Sequence, residues 1–300
     1  MRLKNSFFIK ICLLFLIFYV GVFYAFSTPT VYALPFYHLN PKVTVLRAKF
    51  YTSYANSMPE RKQNIALSSA SLNNVFIDVG AEFSFNFTVG ERTEKRGYQK
   101  AKIILNGEFA DGVGGGVCQV STTLYNAVLL AGLKVTEFHP HSLPVSYVSP
   151  SFDAMVNSGS SDLKFVNNTN NPIIIKTFAD GNKLQVEIYG EPMQETYVRK
   201  SVVTEVIPPP KELETLDEKG EYPNLYQGES MFLRYSTAGL KSQGFIAVIK
   251  NGKEVKCEKI RSDKYSATRG VVILGTAQKP STLPDISDFA PQRINLFKKI

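Results

Sequence analysis

A chain of 300 residues that is 44% hydrophobic and 20% charged has room for one good core plus a smaller module, and this composition excludes a disordered protein. The formal charge is +8, of which Arg2, Lys4 and Lys10 supply three, so the body is only mildly basic at +5. No Lys/Arg run is dense enough for a nucleic-acid groove, and no nucleic-acid partner is expected.

The first ten residues carry those three positive charges, and residues 11–26, ICLLFLIFYVGVFYAF, are an unbroken apolar run. This is the pattern of a signal peptide or N-terminal membrane anchor over residues 1–33, with the positive end cytoplasmic and the body outside. Residues 30–33, TVYA, offer a small-residue end but no A-x-A cleavage site, and the balance favours an uncleaved anchor.

An α+β domain is expected over residues 35–192: a central buried helix packed on a mainly antiparallel sheet. Residues 43–50 alternate as a strand. Pro59 stands at the N1 position of a helix running to Leu72, which Asn73-Asn74 ends. Residues 82–89, EFSFNFTV, place phenylalanines at 83, 85 and 87, a period of two that predicts a half-buried strand. Residues 101–105 and a following short strand flank the hairpin signal Asn106-Gly107. The chain then enters Gly112–Leu133, GVGGGVCQVSTTLYNAVLLAGL, where a glycine-rich loop leads into the central helix and Gly132 stops it. Short strands are predicted at 135–138, 143–148, 162–167, 172–178 and 184–189, with a corner at His139-Pro140-His141. Pro208–Pro210 form a stiff extended break within a small all-β module at 195–276, and residues 277–300 form a tail.

Cys118 falls in the first turn of the central helix, where unpaired N–H groups and the positive end of the dipole favour a thiolate. His141 and Asp153 follow in an order that suits nucleophile, base and orienting acid, as in papain-like and transglutaminase-like folds. The chemistry would be that of a cysteine acyl transferase or amidase, with an oxyanion hole from the backbone N–H groups either of the glycine loop or of Cys118 and Gln119, and with the Gln119 side chain as a further donor. Gly115, Gly116, Gln119 and Ser121 are candidate binding positions, and Arg61 and Asn64 either line the same site or belong to an ordinary helix surface. The competing reading makes Cys118 an inert buried thiol and His141 a residue that simply caps a turn or hydrogen-bonds Asp153. A Cys118–Cys257 disulfide ranks below a free thiol, because the two cysteines fall in different modules. His139 and His141 with one nearby cysteine make a poor zinc set, so neither metal nor cofactor is expected.

The segments RKQNI (61–65), EFSFN (82–86), GYQKAKII (97–104), GGGVCQVSTTLYNAVLLAGL (114–133), HSLPVSYV (141–148) and DAMV (153–156), in this order, resemble the VanW family over about residues 45–190. The resemblance implies an envelope-associated protein linked to peptidoglycan metabolism or glycopeptide tolerance, with peptidoglycan or its precursors as partner and the membrane reached through the N-terminal segment. A non-catalytic peptidoglycan-binding or scaffolding role is the alternative. Two places depart from the family pattern. Val79-Gly80-Ala81 stands where a proline-glycine turn is usual, and Ser151-Phe152 stands where a glycine usually precedes the Asp-Ala pair. The segments YPNLYQGES, IKNGKEVKCEKI and VVILGT in the second module weakly resemble the five-glycine surface-adhesion domain, a fold that implies binding to wall sugars.

Overall fold

Residue 58 is extended and Pro59 opens helix α1 (Pro59–Leu72), because proline has no N–H to lose in the first turn and its fixed φ suits a helix. The computed structural model describes residues 45–105 and 107–279, which belong to one compact unit. The leader at 1–33 and the tail beyond residue 279 lie outside the described residues. Among the described residues, no helix is long and apolar enough to cross a membrane.

Strands β1 (Val45–Ser53), β2 (Val75–Ile77), β8 (Ile173–Ala179) and β9 (Lys183–Gly190) form an antiparallel sheet in the order β1-β9-β8-β2. A smaller antiparallel sheet joins β3 (Glu82–Ser84), β7 (Lys164–Val166) and β6 (Lys134–Glu137). Strands β4 (Lys100–Leu105) and β5 (Glu108–Val113) make the hairpin signalled by Asn106-Gly107, with Gly107 at φ +79°. Helix α3 (Val117–Leu130) lies against β1 and β9, with α1 and β6 beside it. From Val117 to Leu129 only Cys118 is not buried. Gly132, at φ +69°, ends α3. Its N–H reaches Leu129 O at 3.1 Å and the Leu133 N–H reaches Val128 O at 3.2 Å, the two bonds of a Schellman turn.

The C-terminal part is built from strands. Strands β10 (Thr196–Ile207), β13 (Gly239–Lys250) and β14 (Lys253–Tyr265) form one antiparallel sheet. Strands β11 (Leu213–Leu216), β15 (Val271–Leu274) and β12 (Ser230–Arg234) form another, with β11 parallel to β15. This part also touches the first: α3 packs on β10, and the Arg199 guanidinium crosses the rings of Phe50 and Phe152 at 4.3 and 4.8 Å.

Two expectations fail locally. The strand expected over 82–89 ends at Ser84, and Phe85–Val89 is a short helix, α2. The Ser84 hydroxyl accepts from Phe87 N–H at 3.1 Å and donates to Asp162 at 2.5 Å, and Asp162 also accepts the Asn86 N–H at 2.8 Å. A cap hydroxyl and a carboxylate at the helix start outweigh the alternating pattern. Phe83 and Phe85 are core, but Phe87 is 90% exposed. The strand expected at 143–148 is instead irregular loop. Pro140, Pro144 and Pro150 remove ladder donors from this stretch. Asp78–Ala81 closes a turn at 3.1 Å with Gly80 at φ +73°, so Val79 holds the place of the proline.

Candidate functional site

The loop that carries Asp153 is held by side chains of α3. Ser121 Oγ donates to Ala154 O at 2.6 Å, Thr122 Oγ1 accepts the Ala154 N–H at 2.9 Å, and Asn126 Nδ2 donates to Phe152 O at 2.7 Å. Cys118 continues the series, with its Sγ 3.3 Å from Val156 O. The polar residues of the STTLYN stretch are therefore buried on a helix for a stated reason: they satisfy the backbone of 152–156, which has no ladder of its own. On another side of α3, Thr123 Oγ1 meets Thr52 Oγ1 at 2.9 Å and fixes the helix to β1.

These constraints bring Cys118, His141 and Asp153 together. Asp153 Oδ2 accepts both the backbone N–H and the Nδ1–H of His141 at 2.7 Å, which directs the other ring nitrogen towards Cys118. His141 and Asp153 are 5% and 1% exposed, and Cys118 is half-buried. Burial pushes the Cys118 thiol up, but the hydrogen bond and charge of His141, the backbone of Val156 and the charge of Arg92 together bring it below its ordinary value. Burial pushes His141 down, and its bonds to Asp153 and Cys118 outweigh this and lift it to about 9. Burial also works against the Asp153 carboxylate, which His141, Arg261 and Tyr265 nevertheless hold below the usual carboxylate range. Both directions at the thiol and imidazole favour a thiolate–imidazolium pair.

The glycine loop is thin because two arginines cross it. A Cβ on Gly114 would stand 3.1 Å from Arg92 Cβ, and one on Gly116, where φ is +107°, would stand 3.0 Å from Arg61 Cγ. A Cβ on Gly115 would stand 2.7 Å from Lys102 O. Burial lowers both guanidiniums, and the Cys118 charge opposes that in each. Arg92 donates to Ser158 at 3.1 Å and Asn86 at 2.6 Å. Tyr147, raised by burial and by the charges of Cys118 and Asp153, completes the surroundings of the sulfur.

Several expected binding residues act inside the protein. The Gln119 side chain donates to Thr52 Oγ1 and Ser53 O at 2.9 Å and accepts from Arg61 at 2.8 Å, while its backbone N–H is bonded to Gly116 O at 3.0 Å. Gln119 thus has no N–H left for an oxyanion hole, contrary to expectation. Asn64 is fully buried, donates to Gln99 O at 2.9 Å and Gly115 O at 3.0 Å, and accepts the Gln99 N–H at 2.8 Å. It is a brace for the glycine loop. Ser121 is fully buried against Ala154. Arg61 links Ser57, at 2.8 Å, to Gln119.

Three groups in the cluster gave no signal in the sequence. Tyr147 sits in the stretch read as a strand, and Arg261 and Tyr265 come from β14, more than 100 residues past Asp153. His139 is paired with Glu137 at 3.0 Å, and among the described residues no group of His, Cys, Asp and Glu is arranged to hold a metal ion. Cys118 and Cys257 are both free, the latter exposed. A shallow depression of about 450 Å³ between α1 and residues 94–100 contains none of the cluster's groups.

Fold and site together define an α+β protein with a half-buried thiol, an imidazole and a carboxylate in hydrogen-bonded series. Residues 60–189 match the family model described as VanW-like protein. It is 36% identical over 190 residues to the uncharacterized protein YoaR of Bacillus subtilis strain 168, covering 59% of this chain and 63% of the relative. It is 27% identical over 133 residues to the vancomycin B-type resistance protein VanW of Enterococcus faecalis strain ATCC 700802 / V583, covering 43% and 48%. The chain thus spans less than two thirds of either relative. Two solved structures match 28% of this chain: HP0197-G5, over all of that chain, at 22% identity and TM-score 0.16, and an IgA1 protease G5 domain, over 92% of it, at 19% and 0.19.

Proposed function

We propose that this protein is an extracytoplasmic enzyme of the bacterial cell envelope, held at the membrane by its N-terminal segment or released to the wall. Cys118 performs acyl transfer or hydrolysis at an amide of a peptidoglycan stem peptide. One observation carries this reading: the only residue between Val117 and Leu129 that is not buried is a thiol, and it faces a histidine that a buried aspartate orients. In the reaction the thiolate attacks the amide carbonyl carbon, the C–N bond breaks, and the leaving amine takes a proton from His141. Water or a second amine then gives a proton to His141 and displaces the sulfur from the thioester. Similarity to a vancomycin B-type resistance protein supports a link to glycopeptide tolerance.

The test is intact-protein mass spectrometry after incubation with purified muropeptides. The expected result is an acyl adduct on Cys118, removed by hydroxylamine and absent from Cys118→Ala, with release of an amine. No adduct and no released amine between pH 5 and 9 would refute the reading. A second reading, a non-catalytic wall-binding protein, draws on the stacked rings of Phe232 and Tyr235, 4.8 Å apart and exposed beside β12. It predicts that F232A/Y235A, and not C118A, abolishes co-sedimentation with purified sacculi.

A further inference from the structure

The C-terminal strands reach into the thiol site. Tyr265, 1% exposed at the end of β14, donates its hydroxyl proton to Asp153 Oδ1 at 2.5 Å and accepts the Ser151 N–H at 2.8 Å. Arg261, on the same face of β14, donates from Nη1 to Asp153 O at 2.6 Å and stands with Nη2 3.4 Å from Asp153 Oδ1. Its other edge is fixed by Asp263 at 2.7 Å, and its plane lies over Phe138 and Tyr125 at 4.6 and 5.8 Å. The grip extends to Ser151, which takes φ +61°, the left-handed conformation natural to the glycine usual in this stretch. Ser151 Oγ meets Ser242 Oγ of β13 at 2.7 Å, and the place of a Cβ on Gly244 is 2.7 Å from Ser151 O. A serine in that conformation persists where its surroundings over-determine it, and here the surroundings are β13 and β14.

Asp153 therefore has one oxygen for His141 and the other for β14. We infer that Arg261 and Tyr265 are positioning residues for the Cys118–His141 pair, so that the C-terminal β module is a working part of the thiol site. The inference rests on the reading of Cys118 as a nucleophile, but its test does not depend on knowing the substrate. The charged and titratable groups around the pair are Arg61 from α1, Tyr125 from α3, Arg92 from the loop after α2, Tyr147 and Asp153 from the 138–163 loop, and Arg261, Asp263 and Tyr265 from β14. Only the last three lie in the C-terminal part. Arg261 and Tyr265 bond to Asp153, while Asp263 reaches it through Arg261.

The measurement is the rate of Cys118 alkylation by iodoacetamide against pH, on the full chain, read by mass spectrometry of the Cys118 peptide. Tyr265→Phe keeps the ring and deletes the bond to Oδ1, and Arg261→Lys keeps the charge and deletes the fork. Each is expected to move the alkylation midpoint upward and to slow labelling at pH 7 about tenfold, the effect of one charge-assisted hydrogen bond. In an Asp153→Asn background, Tyr265→Phe is expected to have no further effect, because it acts through that carboxylate. An unchanged profile in folded Tyr265→Phe, or the same loss with and without Asp153, would overturn the inference. Should wild-type Cys118 label only after denaturation, the nucleophile reading itself falls, which is a different result. Where Arg261→Lys lowers folded yield, Tyr265→Phe carries the test by itself, since it deletes the short bond to Oδ1.

Discussion

Replacing Asn64 by Ala discriminates a brace from a ligand-binding residue. The amide makes three bonds to two backbone segments, and its removal leaves the buried Gly115 carbonyl and the part-buried Gln99 N–H without these partners. Gln99 O keeps the Gly114 N–H at 3.1 Å. The buried orphan costs about 1–3 kcal/mol and the part-buried one less, so together they give roughly 3 kcal/mol. At about 2–4 °C per kcal/mol for a chain of this size, the melting temperature should fall by about 10 °C. The loop it releases carries Gly116, the N-cap of α3, so iodoacetamide labelling of Cys118 should also lose its single pH midpoint. Differential scanning calorimetry measures the first effect and peptide mass spectrometry the second. A fall of less than about 3 °C, with muropeptide binding weakened, would refute the brace and make Asn64 a contact residue.

Proton linkage gives another expectation. His141 is raised to about 9, so its stabilising contribution is complete below the unfolded value of about 6.5 and is lost as pH rises towards 9. Cys118 is lowered, so its contribution has the opposite slope, present above the unfolded thiol value and lost as pH falls. A proton passed from sulfur to imidazole leaves the net count unchanged, and wild-type stability should be nearly flat from pH 6.5 to 9. Cys118→Ser removes one slope, so its melting temperature should decline over that range by about 3 °C per remaining unit of His141 shift, and a flat curve would contradict the pairing. At α2, Phe85→Ala should cost about 3–5 kcal/mol in urea unfolding, and Phe87→Ser less than about 0.5 kcal/mol. Equal costs would restore the alternating strand.

Local signals carried much of the fold. Pro59 and Asn73 bound α1, Gly132 closes α3 through two backbone bonds, and β4 and β5 pair on either side of the Asn106-Gly107 signal, all within a few residues of the signal. The order Cys118, His141, Asp153 was also legible, because the chain visits them in sequence across one helix and one loop. What was not legible depended on distant partners. The phenylalanine alternation gave way to a cap from Ser84 that Asp162 completes from 78 residues away. Gln119 looked like a donor for substrate, but its amide is consumed by Thr52 and Ser53, 67 and 66 residues earlier. Tyr265 and Arg261 carry no pattern of their own: one arginine and one tyrosine on an exposed-looking strand become site residues only through register, with Gly244 opposite Arg261 and Leu240 opposite Tyr265.

The bond from Tyr265 to Asp153 spans 112 residues. Loop closure over such a distance comes late, after the nearby helix and strands have formed. A chain made from its N-terminus presents Cys118, His141 and Asp153 to one another long before β14 exists. If β14 clamps Asp153 as inferred, an incomplete chain would carry an ordinary thiol and the finished one a reactive thiol. On that inference the distance along the chain would act as a timer, leaving the thiol unactivated until the polypeptide that bears it is nearly complete.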